Sequence, residues 1–221
     1  MAKHLFRDIE DLKRKMLVLG GLVEDALHKS VKAILDRDIA VADEIIRGDR
    51  RIDEMEVELE EDCLKVLSLH QPVAGDLRII IAILKINNDL ERIGDLAVHV
   101  AERAIDLAGR APIEFPFDFV DMTTRSRDML KQSLDALVRQ DSDLARSVCA
   151  ADDEVDAIRR QAFARVEDGI KERPEEVESL LDFLSVSRGL ERVADHATNI
   201  AEDVIYTFKG DIIRHGRGRK A

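Results

Sequence analysis

Two carboxylate pairs stand out in the sequence, Glu91 with Asp95 and Glu191 with Asp195. Each is a Glu-x-x-x-Asp, and residues four apart in a helix share one face. After nearly three further turns Glu102 and Glu202 return to the same stripe. Ile80, Leu84, Val98 and Ile105 fall on it as well, and Leu180, Leu184 and Ile205 do so in the second set. The acids are therefore interleaved with an apolar face. Like charges at this spacing repel, and burial sharpens the cost unless something neutralises them. The neighbours three and four residues from Glu91, Glu102, Glu202 and Asp49 include no Lys or Arg. Asp95 and Asp195 do have Arg92 and Arg192 three residues back, and Asp156 has Arg159 and Arg160 beside it.

A second set of acids precedes each pair: Asp49 with Asp53, and Asp152 with Asp156. Clustered carboxylate oxygens suit hard divalent or trivalent cations, and bridging carboxylates suit more than one ion. The expected chemistry is a metal site in each half, between these aspartates and the Glu-x-x-x-Asp pair, with Glu102 and Glu202 flanking. His99 is a further candidate ligand in the first half only, because Asn199 stands at the equivalent place. His28 and His70 read as ordinary hydrogen-bonded histidines. Ion pairing with Arg or Lys on a neighbouring helix would neutralise the acids equally well, and the pattern leaves both routes open.

Catalytic signatures are missing. No Glu has a His three residues later, as a four-helix carboxylate oxidase needs. There is no phosphate-binding loop, dinucleotide fingerprint, Gly-x-Ser-x-Gly or His-Glu-x-x-His. Glycoside chemistry wants an aromatic-lined cleft, and aromatics make up 4% of this chain. The chain reads as a non-enzyme.

The elements that must position these acids are helices. Apolar residues recur with helical period, and Pro and Gly gather at the breaks. Six helices are expected: about Leu5 to Asp36, Ile39 to Leu69, Asp76 to Ala108, Val120 to Arg139, Ser142 to Lys171 and Glu175 to Phe208. Pro72 and Pro174 mark turns, and Gly109, Pro112 and Pro116 mark a linker. Shifting the chain by 100 residues lays LERIGDLAVHVAE (90–102) on LERVADHATNIAE (190–202), with seven of thirteen positions identical. A shift of 103 aligns Asp38 with Asp141, Asp49 with Asp152 and Asp53 with Asp156. The expected fold is all-α: two tandem, pseudo-symmetric three-helix bundles, 1–109 and 118–210, with a linker at 110–117 and a basic tail at 211–221.

Of the 221 residues 45% are apolar and 36% charged, as in a soluble helical protein, and the formal net charge is −12. That balance argues against a nucleic-acid surface. The tail is the local exception, with Arg214, Arg217, Arg219 and Lys220, and it reads as a solvated terminus. Cys63 and Cys149 sit inside helical patterns, so no disulfide framework is expected and a reducing compartment fits. The N-terminal residues lack an apolar signal core, and the apolar run 79–84 is too short to span a membrane.

The doubled LERIGDLAVHVAE and LERVADHATNIAE, with QPVAGDLR before the first, resemble the PhoU family of phosphate-uptake regulators. The resemblance covers essentially the whole chain. It implies a cytoplasmic all-α regulator, a homodimer, that restrains phosphate-starvation signalling when phosphate is plentiful. It implies partners: the ATPase subunit of a phosphate ABC transporter and a sensor histidine kinase, with peripheral membrane association through them. It also implies multinuclear iron or zinc on the carboxylate motifs, here Glu91, Asp95, Glu191 and Asp195, with Asp49, Asp53, Asp152 and Asp156 opposite. The chain departs from the family pattern at Val98-His99, where Glu-Asn is frequent, and at Thr198, where Glu is frequent. Two competing classes are a metal-free helical interaction scaffold and a metal-dependent hydrolase or oxidase.

Overall fold

A computed structural model describes residues 2–209; the basic tail lies outside the described residues. Six long helices form: α1 (Ala2–Asp36), α2 (Ile39–His70), α3 (Ala74–Ala108), α4 (Phe119–Arg139), α5 (Ser142–Glu172) and α6 (Val177–Lys209). Each end lies within three residues of its expected place. One element was not expected, a short 3-10 turn over Pro174–Glu176 that feeds α6. Proline suits a first helical position because its missing N–H would have no partner there. No described residue is in a strand.

The aligned aspartates turn out to be helix caps. Asp38 Oδ1 accepts hydrogen bonds from the backbone N–H groups of Ala40 and Val41, at 3.0 and 3.1 Å. Asp141 Oδ1 does the same for Asp143 and Leu144, both at 3.0 Å. Each satisfies donors that a helix start leaves free. The preceding helices also end alike, with Arg37 and Gln140 in the left-handed region at φ 55° and 56°.

The first bundle packs α1 and α2 on α3; the second packs α4 and α5 on α6. Helices α3 and α6 also pack on each other, so the two bundles share one continuous core. Contacts across this seam run antiparallel, from Asp89 with His196 to Arg103 with Asp182. Exchanging residue i with i+100 therefore swaps the two helices about a pseudo-twofold axis near Arg92 and Arg192. The repeated apolar residues build this core: Leu90, Leu190, Ala97, Ala197, Ala101 and Ala201 are all fully buried. Ion pairs pin the seam toward its ends, Arg103 with buried Asp182 at 3.3 Å and Lys85 with buried Asp203 at 3.4 Å.

The segment between the bundles is packed down. Phe115 stacks on Phe119 with ring centroids 4.9 Å apart, and its other contact is edge-on to Phe183 of α6 at 5.2 Å. Arg37 donates to the carbonyls of Leu107, Ala108 and Arg110, satisfying orphan acceptors at the end of α3. No helix among the described residues is long and apolar enough to cross a membrane.

Candidate functional site

In the first half, Asp49 of α2 lies over Gly94 of α3, about one helical turn from Glu91 and next to Asp95. Gly94 allows this approach: a Cβ there would stand 3.2 Å from Ile52 Cγ2 and 3.6 Å from Asp49 Oδ1. Burial, then the charges of Asp53 and Asp95, push the Asp49 carboxyl up to about 6. Burial and Asp95 raise Glu91 too, against a smaller opposing pull from Arg92. Arg92 stands 3.4 Å from Glu91 Oε2 and 3.3 Å from Asp95 Oδ2, on the exposed side.

The second half repeats the arrangement. Asp152 is pushed up to about 6 by burial and by Asp195, Asp156, Asp153 and Glu191. Burial also raises Glu191 and Asp195, with the next largest push on Glu191 coming from Asp195 and on Asp195 from Asp156. The second-helix aspartates thus lie within charge range of the motif acids Glu91, Asp95, Glu191 and Asp195 across α2/α3 and α5/α6.

One difference between the halves was not read from the sequence. Arg159 of α5 reaches across to Glu191 of α6, Nε to Oε1 at 3.6 Å. Its counterpart under the 103-residue shift is Glu56, an acid, and Glu56 adds to the push on Glu91. Burial, Glu60 and Asp53 raise Glu56 itself. The alternative of a cation from a neighbouring helix is thus realised in the second half and reversed in the first. The signal was available: aligning Asp53 with Asp156 also aligns Glu56 with Arg159.

Glu102 and His99 stand apart from these clusters, whereas Glu202 shares the surroundings of Cys149 with Asp152. Glu102 is exposed and lies 3.8 Å from Arg103 Nη2. His99 faces the α3–α6 seam, where its Nε2 is 2.8 Å from Ser185 Oγ. Glu202 and Asp152 add to the burial that holds the Cys149 thiol up at about 11, so Cys149 stays protonated. Among the described residues no three His, Cys, Asp or Glu side chains converge at ligating geometry. The donor set still fits a hard cation in kind: carboxylates only, with Asp49, Glu91, Asp152 and Glu191 half-buried and held above the usual range, and Asp53, Asp95 and Asp195 exposed beside them.

Fold and site together define a class, the duplicated helical-bundle protein with an acidic cluster in each half. The PhoU domain matches residues 16–104 and 119–204, and the chain belongs to that family. It is 39% identical over 211 residues to a "Phosphate-specific transport system accessory protein PhoU homolog" of Pseudomonas aeruginosa, covering 94% of this chain and 86% of the relative. A homolog of the same description from Aquifex aeolicus is 37% identical, covering 96% of each. The crystal structure of PhoU from Pseudomonas aeruginosa superposes with a TM-score of 0.88 at 38% identity, over 93% of this chain and 99% of that one. The crystal structure of the phosphate transport system regulatory protein PhoU from Streptococcus pneumoniae gives 0.83 at 26% identity, over 94% and 98%.

Proposed function

We propose that the chain is a cytoplasmic, non-catalytic negative regulator of phosphate uptake and phosphate-starvation signalling. It acts by contact with the ATPase subunit of a phosphate ABC transporter and with a sensor histidine kinase, as a homodimer that reaches the membrane through these partners. The observation that carries this reading is the match of both halves to one family, whose relatives are phosphate-specific transport system accessory proteins. Metal, iron or zinc, belongs to the same reading. Asp49, Asp53, Glu91 and Asp95 would hold it in the first half, and Asp152, Asp156, Glu191 and Asp195 in the second. A bound cation would supply charge neutralisation and a rigid tie between adjacent helices. The first half has the greater need, because Glu56 stands where Arg159 relieves the second.

A metal-free scaffold is the second reading. It is favoured by the spread of the carboxylates and by the Arg159–Glu191 and Arg92–Asp95 pairs. Regulation is tested by deleting the gene in the organism that encodes it. Alkaline phosphatase expression in high phosphate is expected to rise; unchanged expression would contradict the regulatory role.

A further inference from the structure

The two sides of the α3–α6 seam are built differently. On one side Asp89 closes it, accepting from His196 Nδ1 at 2.8 Å and from Asn199 Nδ2 at 3.4 Å. The repeat counterpart of Asp89 is Gly189, so no acid closes the other side. A cleft of ≈ 430 Å³ opens there, lined by Arg92, Arg188, Arg192, His99 and Ser185 together with one acid, Asp95.

The cationic character is specific to this side. Arg188 replaces Asn88, and Ser185 replaces Lys85, whose ammonium is committed to buried Asp203 on the closed side. Arg92 is held by Glu91 and Asp95. Arg188 and Arg192 weakly ease the ionisation of Glu191 and Asp195, yet neither forms an ion pair among the described residues. Three guanidinium groups therefore share one concave surface in a chain of net charge −12, and two of them have donors free.

We propose that this cleft binds a phosphate group, as inorganic phosphate or as a phosphate monoester. A planar guanidinium fork matches two oxygens of a tetrahedral oxyanion, and several forks together accommodate its double charge. Ser185 and His99, already hydrogen-bonded to each other, leave one side-chain donor between them for the wall, the Ser185 hydroxyl or the other His99 ring nitrogen. Asp95 gives the cleft selectivity: a carboxylate accepts the proton of hydrogen phosphate, or of a monoester's monoanion, which sulfate lacks, and repels a fully deprotonated dianion. The ligand deepens the regulatory reading by giving the protein a direct phosphate input, and that physiological role rests on the reading; the binding itself does not.

The test is isothermal titration calorimetry of the full chain with inorganic phosphate, AMP and sulfate, each at one fixed ionic strength. Phosphate or AMP is expected to bind with a Kd of about 1 mM or tighter, with sulfate at least about tenfold weaker. The tighter of the two identifies free phosphate or a monoester as the source. Arg188→Ala and Arg192→Ala are each expected to weaken binding about tenfold. Gly189→Asp restores the acid found on the closed side and is expected to abolish binding while the melting temperature holds. A Cβ at Gly189 meets only ordinary contacts, 3.6 Å from Val100 Cγ2 and 3.7 Å from His99 Cδ2, so a side chain can begin there without displacing its neighbours. No binding of either phosphate compound up to about 10 mM, equal binding of sulfate, or unchanged binding by the variants overturns the proposal. The regulatory reading fails separately, in the phosphatase reporter of the deletion strain.

Discussion

Asp49 and Asp152 occupy equivalent places in the two halves, and both are pushed up to about 6, chiefly by burial. Between the ordinary aspartate value and about 6, the native state holds a proton that the unfolded chain has released. The contribution of these groups to stability therefore falls as pH rises through that window. In chelator-treated protein, Asp49→Asn is expected to raise the melting temperature at about pH 7.5 and to match the parent near pH 4. Thermal melts of both proteins across pH check this, and a variant less stable at the higher pH would show that the ionised carboxylate has a favourable partner. The main acids were legible because their spacing puts them on one face and the spacing occurs twice. Glu56 was not, because α2 is crowded with acids and solvated charge hides a half-buried one. The seam position of His99 was not legible either, since it depends on Ser185, a residue 86 positions away.

Helix ends were the most legible feature at the scale of elements, because local chemistry sets them. Asp38 and Asp141 each bind two N–H groups at a helix start. Replacing either with Ala is expected to cost about 1 kcal/mol in urea unfolding, while Asn keeps most of the stability. A loss for Asn equal to that for Ala would mean that charge, not the accepted hydrogen bonds, is what matters. The linker was less legible. Gly109, Pro112 and Pro116 mark a break between helices but do not reveal that it is packed. Its packing comes from Phe115 and Phe119 against Phe183 of α6, with Phe117 edge-on to Phe119, and the contact to α6 has no local pattern. The 3-10 turn at Pro174 is likewise a local tightening that helical periodicity does not resolve.

Across the whole molecule, duplication explains both the symmetry and its failures. The seam residues Leu90/Leu190, Ala97/Ala197 and Ala101/Ala201 stayed alike because both bundles bury them in one shared core. The halves diverge where charge is placed: Glu56 against Arg159 beside the acidic clusters, and Asp89 against Gly189 along the seam. These substitutions make the first cluster the more acidic and open one side of the seam as a cationic cleft. In the proposed reading each acidic cluster is a metal site rather than an ion-paired face. Elemental analysis of protein purified from metal-replete cells tests it most directly, alongside Glu91→Ala/Asp95→Ala and Glu191→Ala/Asp195→Ala double variants. Bound iron or zinc is expected, falling in each variant while the helical fold persists, and chelation is expected to lower the melting temperature of the parent. Metal-free protein whose melting temperature does not respond to added iron or zinc would contradict it.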